Sequence, residues 1–237
     1  MSRPTVAREL PKRSVALLRM RSLLLDAPRM RTVGQVARWF GAMQSQDLAS
    51  GKWSFGVRLP HKTQADIDAD IARGDVLRTW PMRGTIHFVP SEDAHWMLTL
   101  TGGKALARAH ARRATLGLEQ ATANRAADIL GNALAGGRRL TRAEAVERMR
   151  AGGIDVHGQR AYHLLWYAAQ MGVTCIGPNQ GTEQTFVLLS DWANKPRRLS
   201  KDEALRELME DGEGAPDSQA MHDDVVEGEP RDLVRRG

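Results

Sequence analysis

One order of elements occurs twice along this chain, and no other feature limits its fold as much. Val15, Leu17, Leu18, Leu23, Leu24 and Leu25 make an apolar-rich helix, punctuated by Arg19 and Arg21 and closed by Pro28. Thr32 with Gln35 forms a capping box that opens a second helix. Val33, Val36, Ala37, Phe40 and Met43 recur at helical spacing on one face of it, and Gln44 and Gln46 lie at its end. Thr63 and Asp66 start a third helix, which Gly74 ends. Two β runs follow, 76–80 and 85–89, with Pro81 and Gly84 framing the turn between them. Three helices and then a hairpin is the order of a winged helix.

The second half carries the same order. Ser91 opens a helix that Gly102-Gly103 breaks, and Ala- and Arg-rich helices follow over about 104–117 and 121–135. Thr141 and Glu144 form another capping box, and a helix from about Gln159 to Met171 leads into strands at 173–176 and 185–189. The fold class is therefore mainly α with small β-hairpins, arranged as tandem winged-helix units. The first unit covers 12–100 and the second 101–195. Residues 196–210 read as a linker plus the start of an incomplete third unit, opened by a capping box of Ser200 and Glu203. Residues 211–237 hold Gly, Asp, Glu and Pro with few apolar side chains, a composition that predicts a disordered acidic tail.

Charge narrows the partners. The chain has 34 basic and 28 acidic residues, and nine of the acids but three of the bases fall within 209–237. The remaining body is strongly cationic, which points to a polyanion, with duplex DNA the usual one. An Arg-rich composition without a polyanionic partner is the other reading. Cys175 is the only cysteine, so no internal disulfide forms and a Cys-based metal site is excluded. No apolar run approaches a membrane span, and the N-terminus lacks a signal-peptide pattern. We read the chain as cytoplasmic, with no metal and no organic cofactor.

Several residues are candidates for chemistry. Gln44 and Gln46 do not titrate, so they are neither acid nor base; two carboxamides can orient a water or hold a polar ligand. On a regular helix, residues two apart face opposite sides, so convergence requires the helix to end or distort here. The alternative leaves Gln44 on backbone and Gln46 in solvent. Asp47 either orients the water or ends the helix. Arg78 and Arg83 flank Trp80 on the first wing and reach for phosphate or groove, or else pair locally. His87 contacts the lesion strand or bridges backbone. Arg108, Arg112 and Arg113 form a basic run suited to phosphate. Arg160 and His163 sit on the helix in the recognition position of the second unit.

Three stretches together resemble a known family. They are Gln44-Ser45-Gln46-Asp47, the block from Arg78-Thr79-Trp80-Pro81-Met82-Arg83-Gly84 to Thr85-Ile86-His87, and the 177–189 hairpin followed by Trp192 and Lys195-Pro196-Arg197-Arg198-Leu199. Residues 12–208 resemble the winged-helix DNA glycosylases of the AlkZ and YcaQ type, which unhook DNA interstrand crosslinks. The resemblance implies tandem winged helices with a small C-terminal β-barrel, curved around duplex DNA, and a catalytic Gln-x-Gln motif mapping onto Gln44 and Gln46. The middle position is usually apolar in the crosslink-repair members and is Ser45 here, a departure that bears on the substrate. Family members continue through a third winged helix and the barrel, whereas this chain turns acidic there, as a truncated homologue would. The resemblance implies hydrolysis of the N-glycosidic bond of alkylated purines, at N7 or in a crosslink. The rivals are a non-catalytic DNA-binding regulator and an inactive fragment.

Overall fold

The computed structural model describes residues 12–26, 30–82, 84–193 and 195–210. Pro28, Arg83 and the acidic segment 211–237 lie outside them. Helix α1 (Lys12–Ser22) leads into α2 (Val33–Phe40), strand β1 (Met43–Gln44), α3 (Leu48–Gly56), α4 (Gln64–Ala72), β2 (Val76–Met82) and β3 (Thr85–Pro90). A long α5 (Ala94–Thr115) connects to α6 (Gln120–Leu134), β4 (Leu140–Thr141), α7 (Arg142–Ala151), α8 (Arg160–Gln170), β5 (Thr174–Gln180) and β6 (Glu183–Leu188). The short α9 (Leu189–Trp192) and α10 (Lys201–Glu210) complete the described chain. Each half thus runs helix, two-residue strand, two helices, hairpin.

The capping signals hold. Thr32, Thr63 and Thr141 each accept from the backbone three residues on, and Gln35, Asp66 and Glu144 reach back to close the boxes. Ser200 and Glu203 exchange the same pair of bonds.

The hairpins are not separate wings. They join in one six-stranded antiparallel sheet of order β1-β3-β2-β5-β6-β4, which reads alike from either end. The halves meet at a single register pair, Arg78 opposite Ile176. Alternation along the strands assigns residues to different cores. Met43, Val76 and Phe88 pack with Val33, Val36, Phe55 and Ile67 from α2–α4. Leu77, Val89, Cys175 and Val187 pack with Trp96, Met97 and Leu98 of α5. Trp80, Ile86, Ile176 and Phe186 pack with α6–α8.

Four sequence expectations are corrected. Gly102-Gly103 does not break a helix: α5 runs straight through, because Gly102 faces the end of α8, where a Cβ would stand 3.5 Å from the Gln170 carbonyl and carboxamide oxygens. Packing overrides the propensity of glycine. Pro81 lies inside β2 rather than in a turn, and the β2–β3 register shifts between Thr79 and Met82, where a residue without an N–H belongs. The gap expected between the strands at 173–176 and 185–189 shrinks likewise, since β5 continues to Gln180 through a shift between Gly177 and Gln180 and β6 begins at Glu183. Residues 196–199 are no free linker. Arg197 donates to Asp93 at 3.1 Å and to Glu207 at 2.6 Å, and its N–H bonds the Glu92 carbonyl at 2.8 Å, so α10 is latched onto the start of α5.

No helix among the described residues is long and apolar enough to cross a membrane.

Candidate active site

The segment holding the glutamines is a strand, not a helix end. Helix α2 stops at Phe40 on Gly41, whose φ of +63° suits only glycine. The chain then turns into β1, where Met43 lies opposite Phe88 and Gln44 opposite His87. Ser45 extends the pairing, its N–H bonding the Ile86 carbonyl at 2.8 Å. Burial alternates through the segment: Met43 and Ser45 are buried, Gln44 and Gln46 exposed. In an extended chain, residues two apart share a face, about 7 Å apart along it. The alternation therefore leaves both glutamines exposed, at and just past the end of β1, without any helix distortion. Sequence reasoning missed this because Met43 continues the apolar periodicity of α2. The apolar-polar alternation from Met43 to Gln46 was the signal that could have revealed it.

Gln46 has a fixed orientation. Its Oε1 accepts from the Ile86 N–H at 3.1 Å. A backbone N–H only donates, so oxygen must face it and the NH2 group is turned away. His87 stands beside Gln44 in the register, and its Nδ1–H donates to the Thr85 carbonyl at 3.0 Å.

Asp47 is the N-cap of α3, a helix absent from the sequence reading. Its carboxylate accepts from the Ser50 N–H at 2.7 Å. Hydrogen bonds from Ser50 hold its pKa below the usual aspartate value, with the charge of Arg78 a smaller contribution. Only Asp47 itself announced α3; Gly51, Trp53, Phe55 and Gly56 are poor helix formers, and no Glu or Gln completes the cap.

Arg78 points inward rather than toward a phosphate. It is 6% exposed, with Nη2 donating to the Ser45 carbonyl at 2.8 Å and Nε to the Ser45 hydroxyl at 3.4 Å. Its guanidinium lies over the Phe88 ring, 5.8 Å from the centroid. Burial pulls its pKa down to about 10, against the pull of Asp47, so it stays a cation at neutral pH.

The other cations divide. Arg108 is exposed on α5. Arg112 donates to the Gln159 carboxamide, and Arg160 pairs with Asp155. Arg113 and His163 are buried, contrary to a phosphate-facing role: Arg113 lies over the Tyr167 ring at 5.8 Å, and His163 packs on Trp166. Burial, then Arg113 and Arg112, lower the His163 pKa, which keeps it neutral. Ten of the eleven candidates thus lie on or beside strands β1–β3 or on α5 and α8; Arg83 lies outside the described residues.

Comparison with known proteins gives three findings. The family described as DNA glycosylase AlkZ-like matches residues 37–211. The interstrand DNA cross-link repair glycosylase of Streptomyces sahachiroi is 26% identical over 198 residues, which is 78% of this chain and 52% of that protein. The solved structure of the DNA glycosylase AlkZ of Streptomyces sahachiroi superposes with a TM-score of 0.72 at 23% identity, covering 88% of this chain and 58% of the other. That likeness establishes the shared fold. The chain spans about half the length of the curated relative it matches.

Proposed function

This chain belongs to the AlkZ-like DNA glycosylase family, and on that footing we propose that it is a tandem winged-helix protein that binds damaged duplex DNA and hydrolyses the N-glycosidic bond of alkylated purines. One observation carries the reading: Gln44 ends strand β1 and Gln46 follows two residues on, both exposed between buried Met43 and Ser45, with the Gln46 carboxamide oriented by the Ile86 N–H.

The chemistry suits such a pair. Alkylation at N7, alone or in a crosslink, makes the purine a cationic leaving group. The bond to C1′ breaks with little help, and positive charge develops on the sugar. What remains is to place a water near C1′ and to face the sugar with fixed dipoles. Gln46 offers its NH2 to the water oxygen, and Gln44 offers an acceptor for one of its protons. The C1′–N9 electrons leave with the N7-alkylpurine, which departs neutral; the water oxygen bonds to C1′ and its surplus proton passes to solvent, so no strong base is required. Asp47, next in the chain after Gln46, is held as the cap of α3. The cationic body, Arg108 among its exposed residues, holds the phosphates.

The test is abasic-site formation in a duplex carrying a single N7-methylguanine, and in one carrying an N7-linked interstrand crosslink. Wild-type protein should release the base, and Gln44→Ala or Gln46→Ala should each slow release by roughly a hundredfold, as loss of one oriented dipole does elsewhere. Tight binding of undamaged duplex with no abasic product, indifferent to both substitutions, would instead identify a non-catalytic DNA-binding protein.

A further inference from the structure

Register alone sets up an anomaly beside the glutamines. Met43 faces Phe88 and Gln44 faces His87, so Ser45 comes opposite Ile86. Antiparallel residues of the bonded kind exchange two hydrogen bonds. Only one of the two is made by backbone here, from the Ser45 N–H to the Ile86 carbonyl. The Ser45 carbonyl is taken instead by Arg78 Nη2 at 2.8 Å. The Ile86 N–H, deprived of that carbonyl, donates to the Gln46 side chain at 3.1 Å.

We propose that Arg78 is the positioning residue of the amide pair: by claiming the Ser45 carbonyl it redirects the Ile86 N–H to the Gln46 carboxamide, and so fixes which way that carboxamide faces. Its catalytic consequence rests on the glycosylase reading; its structural consequence does not.

The surroundings support a fixed arrangement. Arg78 lies in β2 opposite Phe88, and its guanidinium passes over the Phe88 ring to reach β1, crossing beneath β3. It is buried there with Asp47 as the nearby opposite charge. Ser45 is also packed against α3. A Cβ on Gly51 would fall 2.9 Å from the Ser45 Cβ and 3.0 Å from Phe88, closer than real side chains allow. Gly51 thus lets α3 lie close against Ser45, and the acceptor that the Ile86 N–H takes sets where the Gln46 Oε1 lies. Lysine cannot replace the fork: it carries the charge but not two parallel donors at fixed spacing.

The experiment compares wild type, Arg78→Lys and Arg78→Met as full-length proteins. Single-turnover cleavage of N7-methylguanine duplex gives the rate, and affinity for a duplex with a tetrahydrofuran abasic analogue gives binding. Arg78→Met should lower the rate roughly a hundredfold and leave affinity within about threefold, with Arg78→Lys between them. Side-chain amide NMR signals of Gln46 and hydrogen exchange at the Ile86 N–H should change in both variants. Unchanged cleavage in both, or a loss confined to affinity, would overturn the proposal. If the wild type makes no abasic sites, the glycosylase reading fails by itself. The Gln46 signals and Ile86 exchange then decide: altered in Arg78→Lys they sustain the positioning role, unaltered they end it. Should Arg78→Met not fold, Arg78→Lys carries every arm.

Discussion

At Asp47 one carboxylate has a defined local task, and its energetics can be tested apart from any catalysis. It caps α3 through the Ser50 N–H, and those bonds hold its folded pKa below the unfolded one. A depressed carboxylate contributes stability above the unfolded pKa and loses it as pH falls through the folded value. Asp47→Asn retains a capping oxygen, so its melting temperature near pH 7 should stay close to wild type. Asp47→Ala removes the cap and should melt lower. The gap between Asp47→Ala and wild type should narrow, without closing, as pH falls through the lowered aspartate pKa, because the protonated carboxyl still offers a capping oxygen; a gap that does not change with pH would mean that Ser50 does not bind the ionised carboxylate. At this scale the residue types were legible and their directions were not. Gln44, Gln46 and Asp47 stood out as polar groups in an apolar setting. Arg78 read as a surface cation because a sequence shows a side chain's charge but not which face of the sheet it enters.

Among elements, α5 departs most from what its sequence proposes. Two adjacent glycines normally end a helix, yet α5 continues through them for three more turns. Gly102 sits where a Cβ would make ordinary contact with Gln170, and Gly103 has open space around it. Neither glycine is required by φ or by a clash, so alanine should fit at both. Gly103→Ala should stabilise the protein by about 1 kcal/mol and Gly102→Ala by the same or slightly less, from helix propensity alone. Chemical denaturation measures both; destabilisation by Gly103→Ala would show that α5 must flex there. Elements with caps were legible for a physical reason: a capping box is local, so Thr32, Thr63, Thr141 and Ser200 declare their helices within four residues. The two-residue strands β1 and β4 are defined by partners more than 40 residues away, Phe88 and His87 for one, Phe186 and Thr185 for the other, and the short apolar-polar alternation from Met43 to Gln46 is the one local trace of β1. The single sheet was illegible for the same reason, since β2 and β5 are joined by one register pair, Arg78 with Ile176.

For the whole molecule the governing property is a cationic body, and the structure sorts its cations by what they can reach. Periodicity along α5 shows that arginines recur but does not say which side packs against α6 and α8. Arg108 stands exposed one turn from Lys104, also exposed, while Arg113 is turned into the core over Tyr167. The two should therefore behave oppositely in a DNA-binding titration. Each cation that neutralises a phosphate releases condensed counterion, so its removal lowers affinity and flattens the salt dependence. Arg108→Ala should weaken duplex binding for damaged and undamaged DNA alike and reduce the slope of log K against log salt by about 1, without changing the melting temperature. Arg113→Met should leave that slope as it is and lower stability by roughly 1–3 kcal/mol, since it empties a packed position and abandons the face of Tyr167. Binding across a salt series together with thermal melts reads both effects. A flattened slope in Arg113→Met, or an unchanged one in Arg108→Ala, would show that DNA lies against a different side of α5 from the one left open to solvent.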